Sequence, residues 1–156
     1  MQYRPEINGL QNNSLFRRQF LITTKKISSL KDFDSISISE YFIYTHPDLE
    51  VTWYTEVSEQ INICLLGFIT NPFKPKESNL DILKSISVCE KNPQSIGNYL
   101  GDYGGRFVML IFFKSEIWVF HDPCGLRSIF YCKEDGKLHL SSQPNLLKYV
   151  TTLQNN

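Results

Sequence analysis

The sequence predicts an α+β fold built mainly from antiparallel sheets, and three observations carry that expectation. Strand-like runs fill the first seventy residues, two short helical patterns follow between 78 and 101, and strand-like runs return as far as 142. Strands, then helices, then strands again lacks the βαβ alternation of a doubly wound parallel sheet. Hairpin punctuation near the end, of the Asp-Gly kind at 135–136, favours neighbours that run in opposite directions. A chain of 156 residues suits one domain and buries about two-thirds of its unfolded surface.

Residues 1–18 are polar, with Asn-Gly at 8–9 and Asn-Asn-Ser at 12–14, and are expected to be a flexible lead-in. Phe20-Leu21-Ile22-Thr23-Thr24 is apolar and β-branched enough for a central strand. The stretch 30–38 is ambiguous between strand and other structure. Tyr41–Tyr44 reads as a strand ended by His46-Pro47-Asp48, and Val51–Glu56 alternates with a period near two. Ile61–Thr70 is almost continuously apolar, as for a strand covered on both faces.

Pro72 and Pro75 break that strand because neither can donate to a ladder. Ser78 with Asp81 three residues on forms an approximate capping box and opens a helix over 79–90. Its expected apolar stripe is Leu80, Leu83, Ile86 and Ser87/Val88. A second helix spans 93–100, closed by Gly101. Strands follow near 106–113, 117–121, 128–132 and 138–142, and a last helix runs from Pro144 to Val150.

Composition narrows the function classes. Lys+Arg and Asp+Glu are 16 each, so there is no basic field for nucleic acid or an anionic membrane, and no repulsion to oppose self-association. No run approaches the roughly 18 apolar residues of a membrane span, and no secretory pattern opens the chain, so a cytoplasmic location is expected. The four cysteines, at 64, 89, 124 and 132, form no Cys-x-x-Cys pair and lack His partners at metal-ligand spacing. No metal and no cofactor is expected. Cys64 and Cys132 lie in strand patterns and read as core. His121, Asp122 and Cys124 have catalytic residue types, but types so close along a turn rarely converge on one reacting atom. In Asp122-Pro123-Cys124-Gly125 they also suit the turn itself: Asp caps backbone amides, Pro presets φ, Gly takes the left-handed region. The aromatics Phe112, Phe113, Trp118 and Phe120 read as core rather than a ligand box.

The segment Gly105-Arg106-Phe107-Val108, then Asp122-Pro123-Cys124-Gly125-Leu126-Arg127-Ser128-Ile129-Phe130-Tyr131, then Ser141-Ser142-Gln143 ahead of a helix, has a recognisable order. It resembles the class II glutamine amidotransferase domain of asparagine synthetases, over about 61–150 and more weakly over 20–54. The resemblance implies an αββα sandwich of the N-terminal-nucleophile hydrolase type, with one helical layer open to reduction. It implies a domain over 19–152 with a tail at 153–156.

The resemblance also implies that the catalyst is missing. The family attacks glutamine with a cysteine at its N-terminus, whose own amine is the base. Here Met1 and Gln2 occupy those positions, the first cysteine is Cys64, and Thr23 and Thr24 lie within a strand. The family's Asn-Gly-Glu-Ile-Tyr-Asn segment matches Leu66-Gly67-Phe68-Ile69-Thr70-Asn71, which keeps Gly67 and Asn71 but replaces the oxyanion-binding asparagine with Leu66. The carboxylate-gripping loop has no counterpart between Tyr41 and Val57, and the acid that would clamp the substrate amine is Asn79. Leu66, Gly67, Asn71 and Asn79 are therefore expected as a vestigial pocket, with Asp122, Gly125 and Arg127 as a structural turn and no catalytic residue. Within this superfamily the chain is similar to nucleophile-less domains that support an ATP-using synthetase domain, the expected partner. A homodimer through Leu146, Leu147, Tyr149 and Val150 is the other expected association. Two further readings remain open: an amide hydrolase using Cys124, and a free-standing interaction module.

Overall fold

The computed structural model describes residues 16–151. In chain order the strands are β1 (Phe20–Thr23), β2 (Asp34–Ile38), β3 (Tyr41–Thr45), β4 (Val51–Glu56), β5 (Ile61–Thr70), β6 (Gly104–Phe113), β7 (Glu116–His121), β8 (Phe130–Glu134) and β9 (Lys137–Ser141). Helix α1 is Asn79–Ser87, α2 is Pro93–Leu100 and α3 is Pro144–Leu147. The described strand pairs are all antiparallel, so the α+β expectation stands at that level. Two compact units divide the described residues: one unites 16–49 with 130–151, and the other is Glu50–Ile129.

The first unit holds a five-stranded sheet in the order β2-β3-β1-β9-β8. β1 is central, as its composition predicts, and Phe20, Leu21, Ile22 and Thr23 are wholly buried. The ambiguous stretch resolves into β2, four of whose five residues are exposed. It is a strand because β3 pairs with it along its whole length, through a turn with Ser39 at φ 53°. That stabilisation is not local, which is why the pattern is weak. The Asp135-Gly136 turn joins β8 to β9 with φ of 50° and 76°, the two positive values a two-residue hairpin needs.

Several boundaries differ from expectation, among them the start of β6, which is Gly104 instead of 106. β8 starts at Phe130 instead of 128, because the amides of Leu126 and Arg127 are held by the preceding turn. α1 ends at Ser87, and its buried stripe is Ile82, Leu83, Ile86 and Ser87, with Leu80 and Val88 exposed. α3 ends at Leu147 and tightens into i→i+3 bonds, Tyr149 to Leu146 and Val150 to Leu147. Leu146, Leu147 and Val150 are buried together with Leu21, Leu30 and Tyr44. Of the apolar patch expected there for association, only Tyr149 is exposed. Burial of such side chains, worth about 1.5–3 kcal/mol each, outweighs leaving them bare.

Of the residues expected to form the flexible lead-in, 1–15 lie outside the described residues, as does the tail at 153–156. Phe16–Arg18 form a turn, closed by Gln19 N–H donating to Phe16 O, with Arg17 Nε donating to Asp48 at 2.5 Å.

The second unit holds a four-stranded meander, β4-β5-β6-β7, with α1 and α2 between β5 and β6 in the chain. Ile61, Ile63, Leu65 and Ile69 alternate along β5 and meet Phe107, Met109 and Ile111 of β6, Ile82, Leu83 and Ile86 of α1, and Ile96 and Leu100 of α2. Cys64 and Leu66, on the opposite face of β5, are also fully buried, which accounts for the continuous apolar run. The Ser78–Asp81 capping box forms as predicted, and Asn92 caps α2 by accepting the Ser95 amide at 2.8 Å. Gly101 ends α2 in right-handed geometry (φ −57°), not the left-handed one a terminal glycine suggests. Phe112 is buried, while Phe113, Trp118 and Phe120 pack against the core from its margin.

Candidate functional site

The four positions expected to line a vestigial pocket lie at the end of β5 and the start of α1. Gly67 lies in β5 with φ 111° and its N–H donates to Glu50 O at 2.8 Å. A Cβ there would meet Arg106 O at 2.2 Å, and one at Gly105 (φ 127°) would meet Phe68 O at 2.4 Å. The register sets Gly67 opposite Phe107 and Gly105 opposite Ile69. The two glycines thus let neighbouring backbones approach where no side chain fits. The Gly67 amide is committed to the Glu50 carbonyl.

Asn79 turns inward. Its Oδ1 accepts the Ile69 amide at 3.1 Å, and its Nδ2 donates to Glu50 Oε1 at 2.8 Å and to Thr52 Oγ1 at 3.3 Å. One side chain thereby fastens α1 to both β4 and β5. Asn71, itself buried, accepts the Phe73 amide at 3.0 Å and donates to Glu77 Oε2 at 2.8 Å, fixing the bend after β5. Leu66 is buried with no polar atom in its side chain to offer. Glu50 and Thr52, the partners that occupy Asn79, were not legible as site residues, since they lie 29 and 27 positions away.

The turn after β7 is organised by Asp122, which is wholly buried. Its Oδ1 accepts the Leu126 amide at 2.8 Å and its Oδ2 the Arg127 amide at 3.1 Å. Its own carbonyl accepts from Gly125 N–H at 2.9 Å, and its N–H donates to Phe107 O at 3.1 Å. Gly125 has the left-handed φ (63°) its place in the turn suggests. Arg127 gives its backbone amide to Asp122, which places it in the turn as the sequence suggests. Carboxylate–amide bonds of this kind contribute about 1.5–3 kcal/mol each.

His121 Nδ1 lies 2.7 Å from Asp122 O, and since a carbonyl only accepts, that nitrogen carries the proton. Both side chains serve the turn: the Asp122 carboxylate holds the Leu126 and Arg127 amides, and the imidazole is oriented by the Asp122 carbonyl and not by the carboxylate. Cys124 is exposed beside them. A hollow of about 270 Å³ adjoins the turn, lined among others by Gly97, Gly101, Phe120, His121 and Pro123.

Thr23 is inaccessible as a nucleophile. It is buried, its Oγ1 accepts the Lys25 amide at 3.0 Å, and it shares a 2.9 Å hydrogen bond with His139 Nδ1. His139 was missed at the sequence level, being one strand residue among others. Cys64 is sealed in, and burial pushes its thiol far up. Cys89 and Cys132 are half-buried and likewise pushed up, chiefly by burial. No cluster of metal-binding side chains occurs among the described residues, and no described helix is long and apolar enough to cross a membrane.

No protein-family model and no curated protein matches this sequence.

Proposed function

We propose that this chain is a degenerate class II glutamine amidotransferase-like domain of the N-terminal-nucleophile hydrolase type, an αββα sandwich that no longer hydrolyses glutamine. It supports an ATP-dependent, amide-forming domain or subunit of the asparagine synthetase type. The order of motifs along 61–150 supports the lineage. One observation carries the loss of activity: Asn79, in the place of the amine clamp, spends both ends of its side-chain amide on Ile69, Glu50 and Thr52. Around it, Leu66 is buried and apolar, and Asn71 is committed to Phe73 and Glu77. A site whose polar groups are already satisfied by the protein has nothing left with which to hold a substrate ammonium or stabilise an oxyanion.

The test is incubation of the full chain with glutamine, asparagine and small amides, with ammonia measured against buffer. No ammonia above the blank is expected. Sustained release would overturn the proposal, and its loss in Cys124→Ser would assign the activity to the turn after β7. Association is tested separately, by titrating a synthetase-type domain against the labelled chain.

A further inference from the structure

The five-stranded sheet is assembled from two pieces of chain, β1–β3 and the β8–β9 hairpin, and the seam between them is short. β1 and β9 share only two register pairs, Leu21 with Ser141 and Ile22 with Leu140, whereas β1 and β3 share four. Side chains close the seam at both ends. At one end Phe20 N–H donates to Ser142 Oγ at 2.8 Å and Ser142 N–H donates to Phe20 O at 3.1 Å. At the other end Thr23 meets His139.

We propose that His139 is an acid-sensitive latch on this seam: protonation of its ring frees the β8–β9 hairpin and α3 from β1. His139 is wholly buried, Nδ1 is taken by Thr23, and Nε2 has no hydrogen-bond partner. A neutral ring can leave Nε2 as a bare lone pair at modest cost. An imidazolium has an N–H there with no acceptor and a charge without solvent.

The groups around the ring set the sign. From β1 and the residues after it come Thr23 and the ammonium of Lys25, which opposes a second positive charge. From β8 come Cys132, opposite His139 in the register, and Glu134, already bound to Lys25. Asp135 in the hairpin turn and Glu134 favour the charged ring, but burial and Lys25 oppose it, and burial is the largest effect. α3 carries no charge. The ring therefore holds its proton less well in the fold than the ordinary value of 6.5. The neutral ring's stabilisation is complete above that value and is lost as pH falls from it toward the lower folded value. Lys25 also donates to Val150 O at 2.7 Å, so the group repelled by the new charge is the one that clasps the chain end.

The test is hydrogen exchange on the full chain between pH 7.5 and pH 5, expressed as protection factors, for wild type and His139→Gln. In wild type the amides of Phe20–Thr23 and Lys137–Ser141 are expected to lose about tenfold in protection for each unit by which the ring's pKa is lowered. Amides of β5 and β6 serve as the internal control and stay constant. In His139→Gln the seam is flat across this range. Seam protection that does not change in wild type, or the same loss in the variant, overturns the latch. If the variant does not fold, the wild-type imidazole titration followed by NMR decides: its midpoint lies below 6.5 and marks the pH at which the loss of seam protection levels off, or the latch is wrong.

Discussion

Asn79 donates to Glu50 across 2.8 Å, so the side chain at the first residue of α1 is bound to the residue preceding β4. An aspartate at 79, the residue type the amidotransferase resemblance would supply, would set two carboxylates against each other there. Asn79→Asp is expected to lose about 1 kcal/mol at pH 7, the lost bonds being partly offset by the favourable helix N-terminus. The repulsion raises the affinity of the pair for a proton, so stability recovers as pH falls through the carboxylate range. Urea melts at pH 7 and pH 4 check this. A variant as stable as wild type at pH 7 would mean that the bond to Glu50 contributes nothing.

Two glycines with positive φ separate close approach from conformational freedom. Gly67→Ala forces a Cβ to within 2.2 Å of Arg106 O and is expected to cost more than about 3 kcal/mol, or to prevent folding. Gly125→Ala meets nothing within 4 Å and is expected to cost only the left-handed penalty, about 1–2 kcal/mol. Thermal melts of the pair check the ranking, and equal losses would contradict it.

Asp122→Ala removes two charge-assisted bonds, to Leu126 and Arg127, from a fully buried position. A loss of about 3–5 kcal/mol is expected in chemical denaturation. Asp122→Asn keeps one acceptor and is expected to lose about half as much. Exchange of the Leu126 and Arg127 amides should rise in both variants before global unfolding does.

The thiols should react in order of exposure. Cys124 is exposed and is expected to react at once with an aromatic disulfide reagent, giving one equivalent of product. Cys89 and Cys132 follow slowly, held back by partial burial and raised thiol pKa values. Cys64 is silent until the protein unfolds. Peptide mapping after a short exposure identifies the sites, and labelled Cys64 in the folded protein would contradict its burial.

The features legible in the sequence rest on neighbours within a few residues. The Ser78–Asp81 capping box, the Asp135-Gly136 hairpin, the Asp122–Gly125 turn and the apolar run of β5 are each set by short-range hydrogen bonding, backbone torsion or one-dimensional hydrophobicity. They emerge where a local pattern predicts them.

Other features depend on residues brought together from afar, and only the tertiary structure decided them. β2 is a strand because β3 pairs with it, not because its residues are buried. The last apolar turn faces inward because Leu21, Leu30 and Tyr44 lie there to receive it. Whether Asn79 is a clamp or a strut depends on Glu50 and Thr52, and whether His139 is ordinary or poised depends on Thr23, 116 residues away. A side chain's type limits which bonds it can make. The partners the fold delivers determine which it does make, because a buried polar group takes the nearest satisfying contact over one it would need a ligand to complete.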